Sequence, residues 1–180
     1  GGGNGNLYQI IIARSEVVRG VAPLLSEACG HVGSPAIRNM GTLGGSVCYG
    51  DAASDPAPAL LALDAEAIIL GPRGERRVPL AEFFLGTMTT ALNSDEVLAT
   101  LHVPRPVAGT RTRFIKYTAT SAEAFSTVTV ATSIVRDSAG VCTHARIGLG
   151  SVAPTPLRAR AAEDLLRGNK LTREIIAAAA

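Results

Sequence analysis

The segment that decides the fold of this chain has the sequence Ile37-Arg38-Asn39-Met40-Gly41-Thr42-Leu43-Gly44-Gly45-Ser46. Its last six residues contain three glycines and a Thr/Ser pair. Because glycine lacks a Cβ, such a backbone can turn sharply and direct several N–H groups at one oxygen-rich ligand. A glycine-rich turn by itself is more often only a tight connection, so its flanking residues decide what it means.

The flanking residues complete a recognisable pattern. Arg38-Asn39 precedes Thr42-Leu43-Gly44-Gly45, and Asp55-Pro56 follows in the sequence Asp51-Ala52-Ala53-Ser54-Asp55-Pro56. This pattern resembles the second flavin-binding motif of the FAD-binding (medium) subunits of the molybdenum hydroxylase family, which includes the aerobic carbon monoxide dehydrogenase medium chain and the xanthine dehydrogenase flavin domain. The resemblance extends over about residues 13–170. An earlier Gly-Gly motif of the family, which wraps the FAD pyrophosphate, is expected to be absent here, so the chain is expected to hold FAD weakly or not at all.

The composition is that of a folded protein with little electrostatic bias. Of the 180 residues, 47% are hydrophobic and 18% are charged, which supports a core and argues against disorder. The net charge of +2 is too small for a nucleic-acid-binding surface. No apolar run reaches the roughly 18 residues of a membrane span, and no signal-peptide pattern opens the chain. A cytoplasmic protein without a nucleic-acid partner and without a membrane span is expected.

Cysteine and histidine are scattered along the chain. None of the cysteines forms a Cys-x-x-Cys pair, and no histidines have ligand spacing; these residues are Cys29, Cys48, Cys142, His31, His102 and His144. Neither a zinc site nor an iron–sulfur cluster can be built locally from them. No metal site is therefore predicted in this chain.

Three regions are predicted along the chain. Residues 1–9 read as a tag or linker and are excluded from the fold. Residues 10–106 are predicted to form the second lobe of a PCMH-type FAD-binding domain, incomplete without its first lobe. Residues 107–180 are predicted to form a C-terminal α+β domain of the CO dehydrogenase flavoprotein type. The boundary lies in the Pro/Gly-rich stretch 104–109, and the C-terminal layer is expected to be an independent packing unit that helps dock partner subunits.

The local patterns predict an α+β fold. In the first part, they indicate a strand at 10–13, helices at 57–63 and 80–85, a hairpin formed by 66–70 and 76–79, and a strand at 96–103. In the second part, strands at 112–118, 127–135 and 141–149 predict a three-stranded antiparallel sheet. Helices at 157–166 and from 172 onward are expected to cover one face of that sheet.

The family resemblance assigns a set of cofactor-binding residues. They are Arg38, Asn39, Thr42, Leu43, Gly44, Gly45, Ser46, Asp55, Leu98 and Lys116. The backbone of residues 42–46 is expected to donate N–H groups to phosphate or ribityl oxygens, and Asp55 to accept from a ribose or ribityl hydroxyl. Leu98 is expected against the flavin ring and Lys116 near its pyrimidine edge. Simpler alternatives are core packing for Leu98, an exposed strand position for Lys116, and a solvated or salt-bridged surface charge for Arg38.

The resemblance implies an oxidoreductase component rather than a complete enzyme. It implies a flavoprotein that binds FAD non-covalently and receives electrons from 2Fe–2S clusters in a small subunit. Those clusters are fed by a large molybdopterin subunit, and NAD, quinone or oxygen is the final acceptor. No catalytic residue is assigned, because the flavin performs the redox chemistry itself. Two alternatives stay open, namely another FAD-dependent oxidoreductase of the same superfamily and a truncated or degenerate scaffold that binds no flavin.

Overall fold

The computed structural model describes residues 7–180 as short helices combined with antiparallel sheets. The helices are α1 (Gln9–Arg14), α2 (Glu16–Val21), α3 (Pro23–Gly30), α4 (Pro35–Met40), α5 (Leu43–Tyr49), α6 (Pro56–Ala62), α7 (Leu80–Phe83), α8 (Arg160–Leu166) and α9 (Arg173–Ala179). The strands are β1 (Glu66–Gly71), β2 (Gly74–Pro79), β3 (Phe84–Gly86), β4 (Thr89–Thr90), β5 (Val97–His102), β6 (Arg111–Tyr117), β7 (Val128–Arg136), β8 (Cys142–Gly150) and β9 (Leu157–Arg158).

The helices of the first part begin and end at residues suited to those positions. Ser15 Oγ accepts a hydrogen bond from the third backbone N–H of its helix, and Thr42 Oγ1 does the same for α5. Pro23 and Pro56 stand at the starts of α3 and α6, where a missing N–H costs nothing. Gly50 ends α5 with a left-handed φ of 68°, which glycine adopts without steric penalty. These signals fix a chain of short helices that leads into α6.

The beginning of the described chain differs from its prediction. The predicted strand at 10–13 is helix α1, which buries Ile12 and exposes Ile11; an apolar run of four residues does not distinguish the two structures. Residues 7–9 of the predicted linker belong to the fold. The Gln9 backbone N–H donates to the Gly41 carbonyl at 2.9 Å, and the Gln9 side chain is buried. Residues 1–6 of that predicted linker lie outside the described residues.

The glycine-rich segment is also more regular than expected. Gly44 and Gly45 lie in the first turn of α5 instead of in a loop, because Thr42 caps this helix. The predicted hairpin and strand that follow are present. Strand β1 pairs with β2 on one side and with β5 on the other, giving the antiparallel order β2-β1-β5.

The C-terminal sheet contains one more strand than predicted. Its order is β6-β7-β8-β9, where β9 pairs Leu157 with Leu149 and Arg158 with Gly148. The helix expected from residue 157 therefore begins at Arg160. A strand of two residues is too short to show the alternation by which strands are recognised in a sequence.

Helix α6 is the centre of the molecule, and all seven of its residues are buried. It packs on strands β7 and β8 of the C-terminal sheet and on helices α3 and α5 of the first part. One hydrophobic core accordingly joins Leu60 and Ile69 of the first part to Phe114 and Ala131 of the second. The C-terminal layer shares this core through α6 and has a second, smaller core of its own, so its independence as a packing unit stays a prediction. The division into domains at residue 107 stays a prediction.

Glycine on β8 permits this close contact between helix and sheet. A Cβ at Gly148 would lie 2.1 Å from the Pro58 carbonyl oxygen, and one at Gly150 would lie 2.9 Å from Pro58 Cγ. The first of these neighbours is helix backbone, which cannot rotate away. The two layers are therefore in backbone contact at Gly148.

An ionic cluster holds the C-terminal end of α6 to the same sheet. Asp64, just beyond the helix, accepts from Arg158 at 2.6 Å through Oδ1 and from Arg146 at 2.7 Å through Oδ2. Arg158 also binds both carboxylate oxygens of Glu163, at 2.6 and 2.7 Å, and the Ile147 N–H donates to Glu163 at 2.7 Å. Every carboxylate oxygen in this cluster has a partner.

A smaller core lies on the outer side of the C-terminal sheet. Cys142, Ala145 and Leu166 are buried there, and Ile134 and Ile175 pack against them. Helices α8 and α9 cover this side of the sheet. Within residues 7–180, no helix has the length and apolar character needed to cross a membrane.

Candidate functional site

A cavity of about 260 Å³ opens where the two parts of the chain meet. Its wall includes Gln9 of α1, Ser46 of α5, residues of the segment 51–56, Lys116 of β6 and the segment 123–125. The N-terminal end of α6 is therefore at the cavity, whereas its C-terminal end is at the Asp64 cluster. The volume lies just below the roughly 300–1,000 Å³ of small-molecule pockets, so it suits part of a dinucleotide and not the whole.

A buried ion pair forms the floor of this cavity. Lys116 Nζ donates to Asp55 Oδ2 at 2.7 Å and to the His31 carbonyl at 3.0 Å. The side chains of Lys116 and Asp55 are only 4% and 6% exposed. Burial raises the pKa of the Asp55 carboxyl, and the hydrogen bond and charge of Lys116 offset part of that rise. The alternative of an exposed strand lysine is therefore wrong for Lys116.

Several buried oxygen atoms of the residues that line the cavity lack a partner. Gln9 Oε1, Ser54 Oγ and Asp55 Oδ1 are buried and have no hydrogen-bond partner within residues 7–180. All three residues line the cavity. Buried polar atoms are normally paired, because an unmade hydrogen bond leaves the full cost of desolvation. These atoms therefore suit a ligand that offers O–H or N–H donors, as the polyol chain and ring edge of a flavin do.

Several motif side chains near the cavity hold the backbone in place or pack in the core. Arg38 Nη1 donates to the carbonyls of Val32 and Gly33, each at 2.7 Å, so this guanidinium braces the turn before α4. Thr42 Oγ1 accepts from the Gly45 N–H at 3.1 Å, and Leu43 is buried in the main core. None of these side chains belongs to the cavity wall.

The remaining motif residues are more accessible. Asn39 and Gly45 are exposed, and a Cβ at Gly44 would meet no atom within 4 Å. A Cβ at Gly45 would lie 2.8 Å from Thr42 Oγ1 and would disturb the helix cap. The surface over Gly44 can thus be approached closely by a ligand, which is the property that the motif was expected to have.

The predicted site residues therefore fall into three groups. Ser46, Asp55 and Lys116 line the cavity together. The other predicted members of the 38–46 motif lie on α4 and α5 or between them, outside the lining of the cavity. Leu98 lies elsewhere, on β5, where it packs against the main core at partial burial. The core-packing alternative describes the position of Leu98 in this structure.

Sequence reasoning missed several polar residues of the cavity wall, among them Gln9 and Ser54. Gln9 was assigned to the linker, although its three-residue spacing from Ile12 is that of one helix face. Ser54 stands directly before Asp55, inside the quoted motif, and carried no separate signal. Among the described residues, no group of three or more His, Cys, Asp or Glu side chains is arranged to hold a metal ion.

Comparison with known families identifies the chain. Residues 5–106 match the family described as the FAD binding domain in molybdopterin dehydrogenase. The chain belongs to this family. Residues 113–180 match a second family, the CO dehydrogenase flavoprotein C-terminal domain. The predicted family and the presence of a domain of the FAD-binding type are confirmed.

Individual relatives agree with this assignment. The chain is 36% identical over 166 residues to the carbon monoxide dehydrogenase medium chain of Hydrogenophaga pseudoflava, covering 92% of this chain and 57% of that protein. It is 33% identical over 157 residues to the xanthine dehydrogenase FAD-binding subunit of Escherichia coli O157:H7, covering 87% of this chain and 53% of the relative. The chain thus spans little more than half the length of these relatives.

A solved structure extends the likeness to three dimensions. A chain of the Hydrogenophaga pseudoflava carbon monoxide dehydrogenase, in a form lacking the Mo-pyranopterin moiety of its cofactor, superposes with a TM-score of 0.92 at 36% identity. The match covers 99% of this chain and 64% of that chain. The predicted α+β fold is confirmed.

Proposed function

We propose that this chain is part of the FAD-binding, electron-transfer component of a molybdenum hydroxylase or dehydrogenase. In this role it takes electrons from the 2Fe–2S clusters of a small subunit and passes these electrons to NAD, quinone or oxygen. The clusters are reduced by a large molybdopterin subunit. The observation that carries the proposal is the buried Asp55–Lys116 pair at a cavity whose lining residues carry unpartnered oxygen atoms, beside the 38–46 motif. The names of the relatives, a medium chain and an FAD-binding subunit, support the same role.

Bound FAD supplies the electron-transfer chemistry, and the protein positions it. Lys116 contributes a fixed positive charge, because Asp55 and the His31 carbonyl hold its ammonium group in place. Ser46 and Ser54 add hydroxyl groups that can donate or accept hydrogen bonds. The open surface over Gly44 lets ligand oxygens approach the backbone of α5.

Non-covalent binding is supported by the chemistry of Cys29, a buried thiol that feels the charge of Asp55. Burial, together with the negative charge of Asp55, raises the pKa of Cys29 to about 12. A thiol with such a pKa stays protonated and is a poor nucleophile toward a flavin. The described cysteines, Cys29, Cys48 and Cys142, are all free thiols, which supports our placement of the protein in the reducing cytoplasm.

Titration of FAD into the purified chain, followed by visible absorption and by calorimetry, tests the proposal. We expect saturable binding. The variant Ser54→Ala should weaken it about 3- to 10-fold, the value of one hydrogen bond, without loss of stability, because Ser54 Oγ has no partner within residues 7–180. The exposed Ser94→Ala is the matched control. A colourless chain with no saturable binding at millimolar FAD would refute the proposal and favour the non-flavin scaffold.

A further inference from the structure

Gln9 occupies an unusual position for a polar residue. It is the first residue of α1, yet it is only 2% exposed. Its backbone N–H donates to the Gly41 carbonyl at 2.9 Å, and its Nε2 donates to Ser46 Oγ at 2.7 Å. Two separate contacts therefore fix Gln9 to the connection between α4 and α5, which is the centre of the 38–46 motif.

The other end of the Gln9 amide is left without a partner. Gln9 Oε1 is buried and accepts no hydrogen bond from any residue in the range 7–180. The amide is also confined, because a Cβ at Gly41 would lie 2.9 Å from Oε1. A buried amide oxygen that is held in place but unpaired costs desolvation energy, which a donor from a ligand can recover.

The charges around the cavity indicate which kind of ligand group it accepts. Carboxylates of Asp51, Asp55 and Glu123 line the cavity. Within the described residues, Lys116 is the only cationic side chain of the lining, and it is already bound to Asp55. A phosphate group would meet an excess of negative charge here. An uncharged group that donates hydrogen bonds would meet acceptors.

We infer that Gln9 is a ligand-contacting specificity residue, whose Oε1 accepts a hydrogen bond from an uncharged donor in the flavin half of the cofactor. Two donors have this chemistry, the ring N–H and the hydroxyl groups of the ribityl chain. The inference rests on the proposed function and assigns the cavity to the flavin half instead of the pyrophosphate. It also gives Gln9 a role separate from that of Ser46, whose Oγ accepts from the other end of the amide.

The variant Gln9→Met tests this role, because methionine matches glutamine in length but offers neither acceptor nor donor. We expect FAD to bind about tenfold more weakly to this variant, since a donor of the ligand would be left unpaired. Ser46→Ala separates contact from positioning. If Gln9 acts only by holding Ser46, adding Gln9→Met to Ser46→Ala costs no further affinity; the inference requires a further loss of affinity in this double variant. Arg14→Ala, an exposed change in the same helix, is the control for α1 and should leave affinity unchanged.

Two FAD analogues identify the donor. One carries a methyl group on the ring N–H nitrogen, and the other has an alkyl chain in place of the ribityl chain. For the parent chain, we expect one of the two analogues to bind about tenfold more weakly than FAD. For the Gln9→Met variant, we expect that same analogue and FAD to bind with equal affinity. If the parent chain binds FAD, but each analogue loses the same affinity relative to FAD in the parent chain and in Gln9→Met, then Gln9 makes no such contact and the inference is wrong. If the parent chain binds no FAD, the proposed function fails and this inference fails with it.

Discussion

The charged clusters at the two ends of helix α6 differ in whether all of their carboxylate oxygens have hydrogen-bond partners. At the C-terminal end, both oxygens of Asp64 and both oxygens of Glu163 accept hydrogen bonds. At the N-terminal end, Asp55 has one oxygen bound to Lys116 and one without a partner in the described chain. Both ends join the first part of the chain to the C-terminal sheet, but only one of them leaves hydrogen-bonding capacity unused. The saturated end is suited to stability, and the unsaturated end is suited to binding.

The pKa directions of the two buried carboxyls follow this difference. At Glu163, burial alone would raise the pKa, but the hydrogen bonds from Arg158 and from the Ile147 N–H outweigh burial and lower it. At Asp55, burial outweighs the single contact with Lys116, and the pKa is raised. Two carboxyl groups with similar exposure therefore have pKa values shifted in opposite directions, because they accept hydrogen bonds from different numbers of donors.

The largest expected effect comes from breaking the saturated end. Arg158→Met would leave Glu163, only 3% exposed, as a buried charge without its main partner. We expect a loss of about 3–5 kcal/mol in the free energy of unfolding, measured by urea titration. The exposed pair of Arg113 with Glu27, at 3.7 Å, provides the control. Arg113→Ala should cost less than about 1 kcal/mol. Equal losses for the two variants would mean that the Asp64 cluster has no special structural role.

The contact between helix and sheet can be disturbed without changing any charge. Gly148→Ala would place a methyl group 2.1 Å from the Pro58 carbonyl oxygen, so α6 or β8 must shift. We expect a destabilisation of about 1–3 kcal/mol, read from thermal unfolding. Gly86→Ala is the matched control, because its nearest neighbour would be at an ordinary 3.8 Å. A Gly148→Ala variant as stable as the control would contradict the tight packing of α6.

Replacing both Asp55 and Lys116 tests the difference between the two ends of helix α6. The double variant Asp55→Asn/Lys116→Met leaves no unpaired buried charge. Its free energy of unfolding should stay within about 1 kcal/mol of the parent or rise, as for other buried ion pairs replaced together. Its FAD affinity should fall about tenfold or more in calorimetry, because the fixed charge is lost. Unchanged affinity together with a large loss of stability would reverse the roles assigned to the two ends.

The smallest expected effect is a difference in pH dependence. The contribution of Glu163, with its lowered pKa, should be fully present above the unfolded value of about 4.3 and lost as the pH falls through the folded value. Asp55, with its raised pKa, should act in the opposite sense, and its ionisation should cost stability as the pH rises from about 3.9 through the folded value.

Urea titrations at several pH values would measure both effects. The stability difference between the parent and Glu163→Gln should shrink as the pH is lowered below about 4. The parent should lose stability relative to Asp55→Asn as the pH rises above about 4. Parallel pH profiles for the parent and both variants would show that neither carboxyl titrates differently in the folded state.

The sequence was sufficient to locate the motif-bearing region, but it was insufficient to predict the contacts that surround this region. The 37–46 segment and Asp55 could be identified because their residue types and spacing are unusual. Gln9 could not, because a six-residue helix offers too little periodicity to separate it from a linker. The two-residue strand β9 was missed for the same reason. The pairing of Asp55 with Lys116 joins residues 61 positions apart, which no local pattern encodes.

The burial of α6 on all sides has a consequence for how the molecule opens. Amide hydrogens exchange through local opening where a segment can detach, and only through global unfolding where it cannot. Helix α2 has no buried residue and can fray alone, whereas every residue of α6 is enclosed by the two layers. The amide protons of α6 should therefore be among the slowest to exchange with deuterium. Their exchange rate would report the stability of the whole molecule.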